Sequence, residues 1–334
     1  RLWKRGRLQQ VFGREKPLVF ARTPDSAITK ARKTARPLLV WAGKEPPLPP
    51  DLRILRVEDG FLRSRGLGAD LIPPLSLVTD DLGIYYDPTR ESRFERLITS
   101  PVPAGGIARA EALVAAITRR NLTKYNLGGT LPDLPPRDGR RRILVVGQVE
   151  DDASIRLGTA GVTTNLGLLQ AARAANPDAV LVYKPHPDVV AGLRHKGELD
   201  DTLTGLCDEV LTDVSIHHLL NEVDEVHVMT SLTGFEALLR GRTVVTYGQP
   251  FYSGWGLTVD KLTCERRTRK LSVTELVAGA LILYPSYRDK SLDNFASPEY
   301  ALERMLELQT TEVAFKAARA WVRRWVARLT TRRR

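Results

Sequence analysis

Sulfur is scarce in this sequence. Two cysteines, Cys207 and Cys264, and two methionines are all that 334 residues contain. The cysteines stand far apart and fit no metal-ligand spacing, which leaves no cysteine metal site and points to a reducing compartment. No apolar run approaches the roughly 20 residues that a spanning helix needs, so a transmembrane helix is excluded. The opening RLWKRGRLQQ is basic with no apolar core behind it, and no secretory signal is read in it. The first residue is not methionine, from which we expect a module of a longer chain. A G-x-G-x-x-G fingerprint and a P-loop are missing too, so a nicotinamide dehydrogenase has no local support.

What is present is the composition of a soluble globular protein, 43% hydrophobic and 27% charged, long enough that two domains of about 150 residues each are expected. The net charge of +11 suggests a nucleic-acid binder until its location is considered. Eight basic residues and no acid fall between Ala314 and Arg334, and Arg1, Lys4, Arg5 and Arg7 open the chain. These ends carry +12 together, which leaves the body near neutrality and argues against nucleic acid as a partner. Basic ends fit an anionic surface, with an acidic membrane leaflet as the leading candidate. Near the C-terminal end Phe315, Ala318, Val322, Trp325 or Val326, and Leu329 recur at helical spacing opposite an arginine face. This basic amphipathic helix, within 301–334, lies on a membrane or packs its stripe on the body, and the two roles are compatible.

Short apolar runs alternate with helix-period segments throughout, the pattern of βα units and parallel sheets. In the first half PLVFA (17–21), PLLVWAG (37–43), RILRVED (53–59) and GIYYD (83–87) read as strands. In the second half RRILVVGQ (141–148), AVLVYKPHP (179–187), DEVLTD (208–213), DEVHVMTS (224–231) and TVVTYG (243–248) do so. Helices fit between them, over 163–175, 215–222 and 234–240 among others. The stretch GGTLPDLPPRDGRR, from Gly128, has the Gly, Pro and charge content of a linker. The expected architecture is α/β, with Rossmann-like domains over 1–138 and 139–300 and the basic helix after them. Without either nucleotide fingerprint, two such domains favour the GT-B glycosyltransferase fold, whose donor lies in the interdomain cleft at the carboxyl ends of the strands.

Polar residues cluster at those ends. VEDGFLRS places Glu58, Asp59 and Arg63 at a first-half strand exit. QVEDDAS places Gln148, Glu150, Asp151, Asp152 and Ser154 at the exit of the first strand of the second half. YKPHPD follows with Lys184, His186 and Asp188, its prolines fixing the loop. TSLTGFEALL opens a helix with Thr230, Ser231, Thr233, Gly234 and Glu236, and a helix start with amides and hydroxyls is a ready phosphate site. Each loop has a plainer reading. Three adjacent carboxylates are costly unless they work, and helix capping, metal ligation and catalysis all remain open for Glu150, Asp151 and Asp152. The D-x-D spacing of metal-dependent transferases is absent, and no metal is expected. His195, His217, His218 and His227 show no ligand spacing and read as structural or surface residues.

The set EDGFLRS.GLG, PPLSLV.DD.GIYYD, GQVEDDASI, YKPHPD, TSLTGFEALLRG and YGQPFYSGWGLT resembles the KpsC-type retaining β-Kdo transferases, which build the phospholipid-linked oligo-Kdo linker of bacterial capsular polysaccharides. The resemblance runs from about residue 17 to about residue 300 and is to the C-terminal of two modules. A more distant similarity is to bacterial sialyltransferases, whose acidic, HP and Ser/Thr motifs match Glu58-Asp59-Gly60, His186-Pro187 and Thr230-Ser231.

The resemblance implies a CMP-β-Kdo donor with no further cofactor, a Kdo-terminated lipid-linked acceptor, and a second transferase module in the full-length chain. It implies a peripheral location on the cytoplasmic face of the bacterial inner membrane. It places the nucleophile of a double displacement at Asp152, with Asp151 as the neighbour that can be confused with it. His186, Lys184 and the helix start at Ser231 to Gly234 would neutralise the leaving phosphate. Glu58 is the candidate base, with Asp59 as fallback. Arg63 would bind the sugar carboxylate or hold its loop. Gln148, Ser154, Thr230, Thr233 and Glu236 fall to donor binding. Tyr252 and Trp255 either stack on cytosine or sugar or pack in the core. A 2→7 linkage is preferred over 2→4. The runners-up are another CMP-sugar-acid transferase, sialyl-like or inverting, and a catalytically silent glycan-binding module.

Overall fold

The computed structural model describes residues 4–43, 45–63, 74–123, 130–134, 136–190, 201–288 and 295–307. The amphipathic stripe expected from Phe315 onward, Arg1 and His195 lie outside the described residues. Two sheets organise the chain. The first is formed by β1 (Leu38–Trp41), β2 (Ile54–Asp59), β3 (Ser76–Asp80) and a late strand. The second contains β4 (Arg142–Val146), β5 (Val180–Lys184), β6 (Glu209–Val210), β7 (Glu225–Val228), β8 (Thr243–Thr246) and β9 (Val259–Asp260). The late strand is β10 (Pro285–Tyr287). The result is the expected α/β fold, two sheets with a cleft between them.

The second sheet is parallel throughout, in the order β6-β5-β4-β7-β8-β9. Renumbered from its own first strand this is 3-2-1-4-5-6, the doubly wound dinucleotide-fold order, whose chain direction across the sheet reverses between β4 and β7. Strands β4 and β5 are buried at every position, because helices cover both faces.

The first sheet departs from that plan. β1 and β2 are parallel, but β3 runs antiparallel to β2 and β10 antiparallel to β3. Neither PLVFA nor GIYYD is a strand. The Arg36 guanidinium takes the carbonyls of Lys16 and Pro17, at 3.3 and 3.0 Å, so that run is tied down by a side chain instead of a ladder. GIYYD is a loop because the strand runs just before it and stops at Asp80. That fully buried carboxylate accepts the amides of Leu82, Gly83 and Arg93 and the Tyr284 hydroxyl.

The helices in chain order are α1 (Lys4–Phe12), α2 (Pro24–Thr34), α3 (Arg93–Thr99), α4 (Gly106–Arg119), α5 (Ala153–Gly158) and α6 (Asn165–Ala175). α7 (Pro187–Val190), α8 (Asp201–Thr204), α9 (Ile216–Glu222), α10 (Leu232–Leu238) and α11 (Val273–Val277) follow. A π-helical turn, Ala278–Leu283, continues α11 and packs with it on α3 and α4 before β10. Residues 273–287 therefore sit with the first sheet, inside the range 139–300 that the sequence reading gave to the second domain.

One aromatic cluster spans the two halves. Phe61, Tyr85 and Phe94 meet Phe235 and Phe251, with ring centroids 4.5 to 6.3 Å apart. Beside it a buried ion pair joins Glu95 of α3 to Arg267 at 2.9 Å. Apolar rings and a desolvated charge pair thus fix how the two sheets face each other.

Candidate active site

The crevice outside β4 and β7 is where a doubly wound sheet binds ligands. Here Gln148, just past β4, bridges it. Gln148 Nε2 donates to Thr230 Oγ1 at 3.0 Å, and its Oε1 accepts the Thr230 amide at 2.8 Å. Thr230 Oγ1 in turn donates to Ser154 Oγ at 3.1 Å. Three residues from two motifs, QVEDDAS and TSLTGFEALL, are therefore one hydrogen-bonded floor, joining the ends of β4 and β7 to α5. Asn165, buried at the start of α6, locks the same corner by exchanging two bonds of 2.9 Å with the Gln148 backbone.

A cavity of about 1290 Å³ opens above this floor. The second half lines it with Gln148, Asp151, Asp152, Ser154, Lys184, His186, Thr230, Ser231, Thr233 and Glu236. The first half supplies Glu58, Asp59 and Arg63, together with Lys4, Trp41 and Tyr86. The acidic motifs of both halves thus face one space.

The three adjacent carboxylates separate by role. Glu150 is not a lining residue; its Oε1 accepts the Asn165 amide at 2.7 Å and pins the loop to α6. Asp151 and Asp152 are exposed to the cavity. Asp152 is also the N-cap of α5, accepting the Ser154 amide on Oδ1 at 2.9 Å. Capping uses one oxygen and aims the carboxylate from a fixed helix start.

Across the cavity the acidic pair is equally asymmetric. Asp59 forms a 2.7 Å ion pair with the buried Arg63 and lies 3.8 Å from Lys4. Glu58 accepts the Asp59 amide at 2.9 Å. Arg63 holds its loop through Asp59 while reaching the cavity wall.

Lys184 and His186 stand at the exit of β5. Burial depresses the Lys184 ammonium to about 8, while Asp213 opposes the shift and Thr212 O accepts from Nζ at 3.0 Å. The Asp188 amide donates to His186 Nδ1 at 3.1 Å, which puts the ring proton on Nε2. A cation and an N–H donor therefore border the cavity together.

Three expected site residues are placed elsewhere. Gly234, Tyr252 and Trp255 do not line the cavity. Tyr252 and Trp255 are fully buried, with Trp255 Nε1 donating to Phe251 O at 2.9 Å and the Tyr252 hydroxyl donating to Ser231 O. Gly234 exists to admit Tyr252, since a Cβ there would stand 2.7 Å from Tyr252 Cζ. The helix start expected to bind phosphate with free amides is also partly occupied. The Thr233 amide donates to Ser231 Oγ at 3.2 Å and the Gly234 amide to Ser231 O at 3.1 Å.

The N-terminal cations are occupied as well. Lys4 lies 3.0 Å from the centroid of the Trp41 ring, Arg5 stacks on Phe20, and Arg7 binds the carbonyls of Leu75 and Arg288. These three hold α1 against the first half instead of facing an external anionic surface. His217 and His218 pack edge to face, and His227 is buried between Glu225 and the Tyr247 hydroxyl, as structural histidines. Among the described residues no helix is long and apolar enough to cross a membrane.

Sequence reading missed Lys4, Trp41 and Tyr86. The signal for Tyr86 was present, since GIYYD sits among the motifs, but it was read as a strand. Nothing local marks Lys4, which reaches the cavity because α1 folds back on the first sheet, whereas Trp41 is the last residue of β1 and lies at a strand exit as the polar motifs do.

The chain is 42% identical over 316 residues to the lipopolysaccharide-processing protein LpsZ of Rhizobium meliloti, covering 90% of this chain and 71% of that one. It is 48% identical over 235 residues to the capsule polysaccharide modification protein LipA of Neisseria meningitidis serogroup A, covering 70% of this chain and 33% of LipA. This chain thus spans most of LpsZ but matches about a third of LipA's length. Among solved structures, the β-Kdo 2,7 transferase of Thermosulfurimonas dismutans KpsC superposes with a TM-score of 0.79 at 36% identity, over 92% of this chain and 97% of that one. The β-Kdo 2,4 transferase of the same KpsC gives 0.71 at 33% identity, over 86% and 85%. Residues 49–127 and 106–288 match the family described as capsule polysaccharide biosynthesis protein. With most of its length covered, and with the acidic loops of both halves closing on one cleft, this chain belongs to the capsule polysaccharide biosynthesis family.

Proposed function

We propose that this glycosyltransferase moves Kdo from CMP-β-Kdo to a Kdo-bearing, phospholipid-linked acceptor, with retention of configuration, through a covalent intermediate on Asp152. The observation that carries the reading is that Asp152 of the second half and Glu58 of the first line one cavity at the switch point of a doubly wound sheet. Likeness to KpsC transferase modules supports the sugar, and the higher TM-score with the 2,7 transferase supports a 2→7 linkage.

In the first step an Asp152 oxygen attacks the anomeric carbon. The bond from that carbon to the phosphate oxygen breaks, and its electron pair leaves with CMP. His186 Nε2–H and the Lys184 ammonium meet the charge that develops on the phosphate. In the second step the acceptor hydroxyl attacks the same carbon, Glu58 takes its proton, and the Asp152 carboxylate is released. Glu58 is preferred over Asp59 as base because Asp59 is committed to Arg63. Asp152 is preferred over Glu150 because Glu150 does not line the cavity and is turned to the Asn165 amide.

The acceptor is anchored in lipid, so the enzyme works at the inner face of the membrane. With Lys4, Arg5 and Arg7 engaged by the first half, this role falls to the basic C-terminal segment. Removing residues 309–334 is expected to lower binding to anionic vesicles while transfer to a soluble acceptor persists. Equal loss of both would make the segment a brace.

Incubation with CMP-Kdo and a synthetic Kdo acceptor, followed by peptide mass spectrometry, tests the chemistry. Glu58→Gln should accumulate a Kdo ester on the Asp152 peptide, Asp152→Ala should abolish transfer, and Asp151→Ala should retain it. Full transfer by Asp152→Ala would sink the double displacement.

A further inference from the structure

The GIYYD loop delivers a phenol to the reaction centre. Its position is set by Asp80, whose carboxylate gathers the Leu82 and Gly83 amides at 2.9 and 2.8 Å and folds the chain back at the end of β3. Tyr85 and Tyr86 meet edge to face at 5.3 Å. Tyr85 joins the aromatic cluster between the halves, and Tyr86 forms part of the cavity wall beside it.

A glycine keeps this corner open. Gly43 follows β1 with φ of +71°, and a Cβ there would stand 3.0 Å from the Tyr86 hydroxyl and 3.2 Å from Ala153 Cβ. Ala153 is the residue after Asp152, so the hydroxyl lies beside the loop that carries the proposed nucleophile. Among the described residues this hydroxyl makes no hydrogen bond. Burial and the carboxylates of Glu58, Asp152 and Asp87 push the phenol well above its ordinary value against the opposing pull of Arg156, so it keeps its proton.

A proton donor flanked by the proposed nucleophile and the proposed base has a definite use. The reacting sugar is a 2-keto acid with a carboxylate on the anomeric carbon, so its binding brings a third anion between Asp152 and Glu58. Donation to the ring oxygen would oppose the positive charge that builds there in the transition state. We propose that Tyr86 is a further catalytic residue, its hydroxyl donating a hydrogen bond to the anomeric carboxylate of the sugar held between Asp152 and Glu58. The assignment rests on the transferase reading above.

Tyr86→Phe removes the donor and keeps the ring. Transfer from CMP-Kdo to a synthetic Kdo acceptor is measured for wild type and variant, with CMP binding by calorimetry and thermal melting alongside. The expected result is a fall of about 10- to 100-fold in kcat/KM for CMP-Kdo, the scale of a lost hydrogen bond to a charged group. CMP has no sugar carboxylate, so its affinity should hold within about twofold, and the melting midpoint should hold because the hydroxyl supports no protein contact. Transfer at the wild-type rate overturns the assignment. So does a parallel drop in CMP affinity or melting midpoint, which would make the phenol a packing element. If wild type releases no CMP from CMP-Kdo, the transferase reading fails and takes this assignment with it. An active wild type with an unimpaired Phe variant overturns the Tyr86 assignment alone.

Discussion

Replacing Arg267 with methionine tests what holds the two sheets in place across the cleft. The Arg267 side chain is 1% exposed; Nε donates to Glu95 Oε1 at 2.9 Å, and Nη1 donates to the carbonyls of Pro250 and Ser253. Those carbonyls belong to the loop that brings Phe251 to the cavity and into the aromatic cluster. Methionine fills similar space without charge, leaving the Glu95 side chain, 7% exposed, with the Arg266 guanidinium at 3.4 Å. Removing one partner of a buried pair costs about 3–5 kcal/mol, and the neighbouring cation puts the expected loss at the lower end, about 3 kcal/mol. Glu95→Gln keeps an acceptor in place but leaves the buried Arg267 cation without its carboxylate, and should cost about 3 kcal/mol as well. The double variant Glu95→Leu/Arg267→Met removes both charges and should recover most of the loss. Urea denaturation followed by tryptophan fluorescence reads all three, because buried Trp255 lies 5.7 Å from the guanidinium. A methionine variant within about 0.5 kcal/mol of wild type would refute the reasoning. A double variant as unstable as the single would shift the cost to the loop carbonyls.

Lys184 should make donor binding pH-dependent: CMP affinity measured from pH 7 to 9 should fall as the ammonium, held to about 8, loses its proton, and Lys184→Met should be weak and flat across that range. Stability should move the opposite way, because the unfolded lysine keeps its proton to about 10.4, so between about 8 and 10.4 the unfolded chain binds more protons and unfolding becomes harder as pH rises. Gln148→Leu strands the Thr230 amide and should cost about 2–4 kcal/mol in chemical denaturation, together with CMP affinity; unchanged values would show that the floor is not held by this side chain. Gly234→Ala should destabilise by about 1–3 kcal/mol through collision with Tyr252, read as a lower melting midpoint, and a normal midpoint with lost CMP binding would return Gly234 to the donor site.

The second half of the fold was legible because a buried parallel strand leaves a dense apolar run. ILVV in β4 and VLVY in β5 could be little else, and the polar residues that follow them had to lie at one edge. The first half was harder. PLVFA and GIYYD have the same local character as true strands, and what unmakes them is distant: Arg36 on the carbonyls of one, Asp80 with Tyr284 behind the other. The three residues of β10 have no period to detect and exist as a strand through their partner β3. Within the site, the hydrophilic loops were found and the aromatics were not sorted. Tyr252 and Trp255 fit either a stacking platform or the core in sequence and prove to be core, while Tyr86 looks like strand and stands at the cavity. An aromatic residue fits either environment, and tertiary packing decides between them.

The pairing of β10 with β3 has a consequence for how the chain is made. Val78 finds its partner Pro285 about two hundred residues later, so the edge of β3 stays open while the whole doubly wound sheet is being synthesised. Such a long loop slows closure, and an open edge in the meantime invites pairing with a neighbouring chain. The nascent protein therefore carries its aggregation hazard in the half that emerges first, and the last turn of the second half relieves it. An expression fragment ending near residue 138 would keep that edge permanently exposed, whereas one that includes residue 287 can close it.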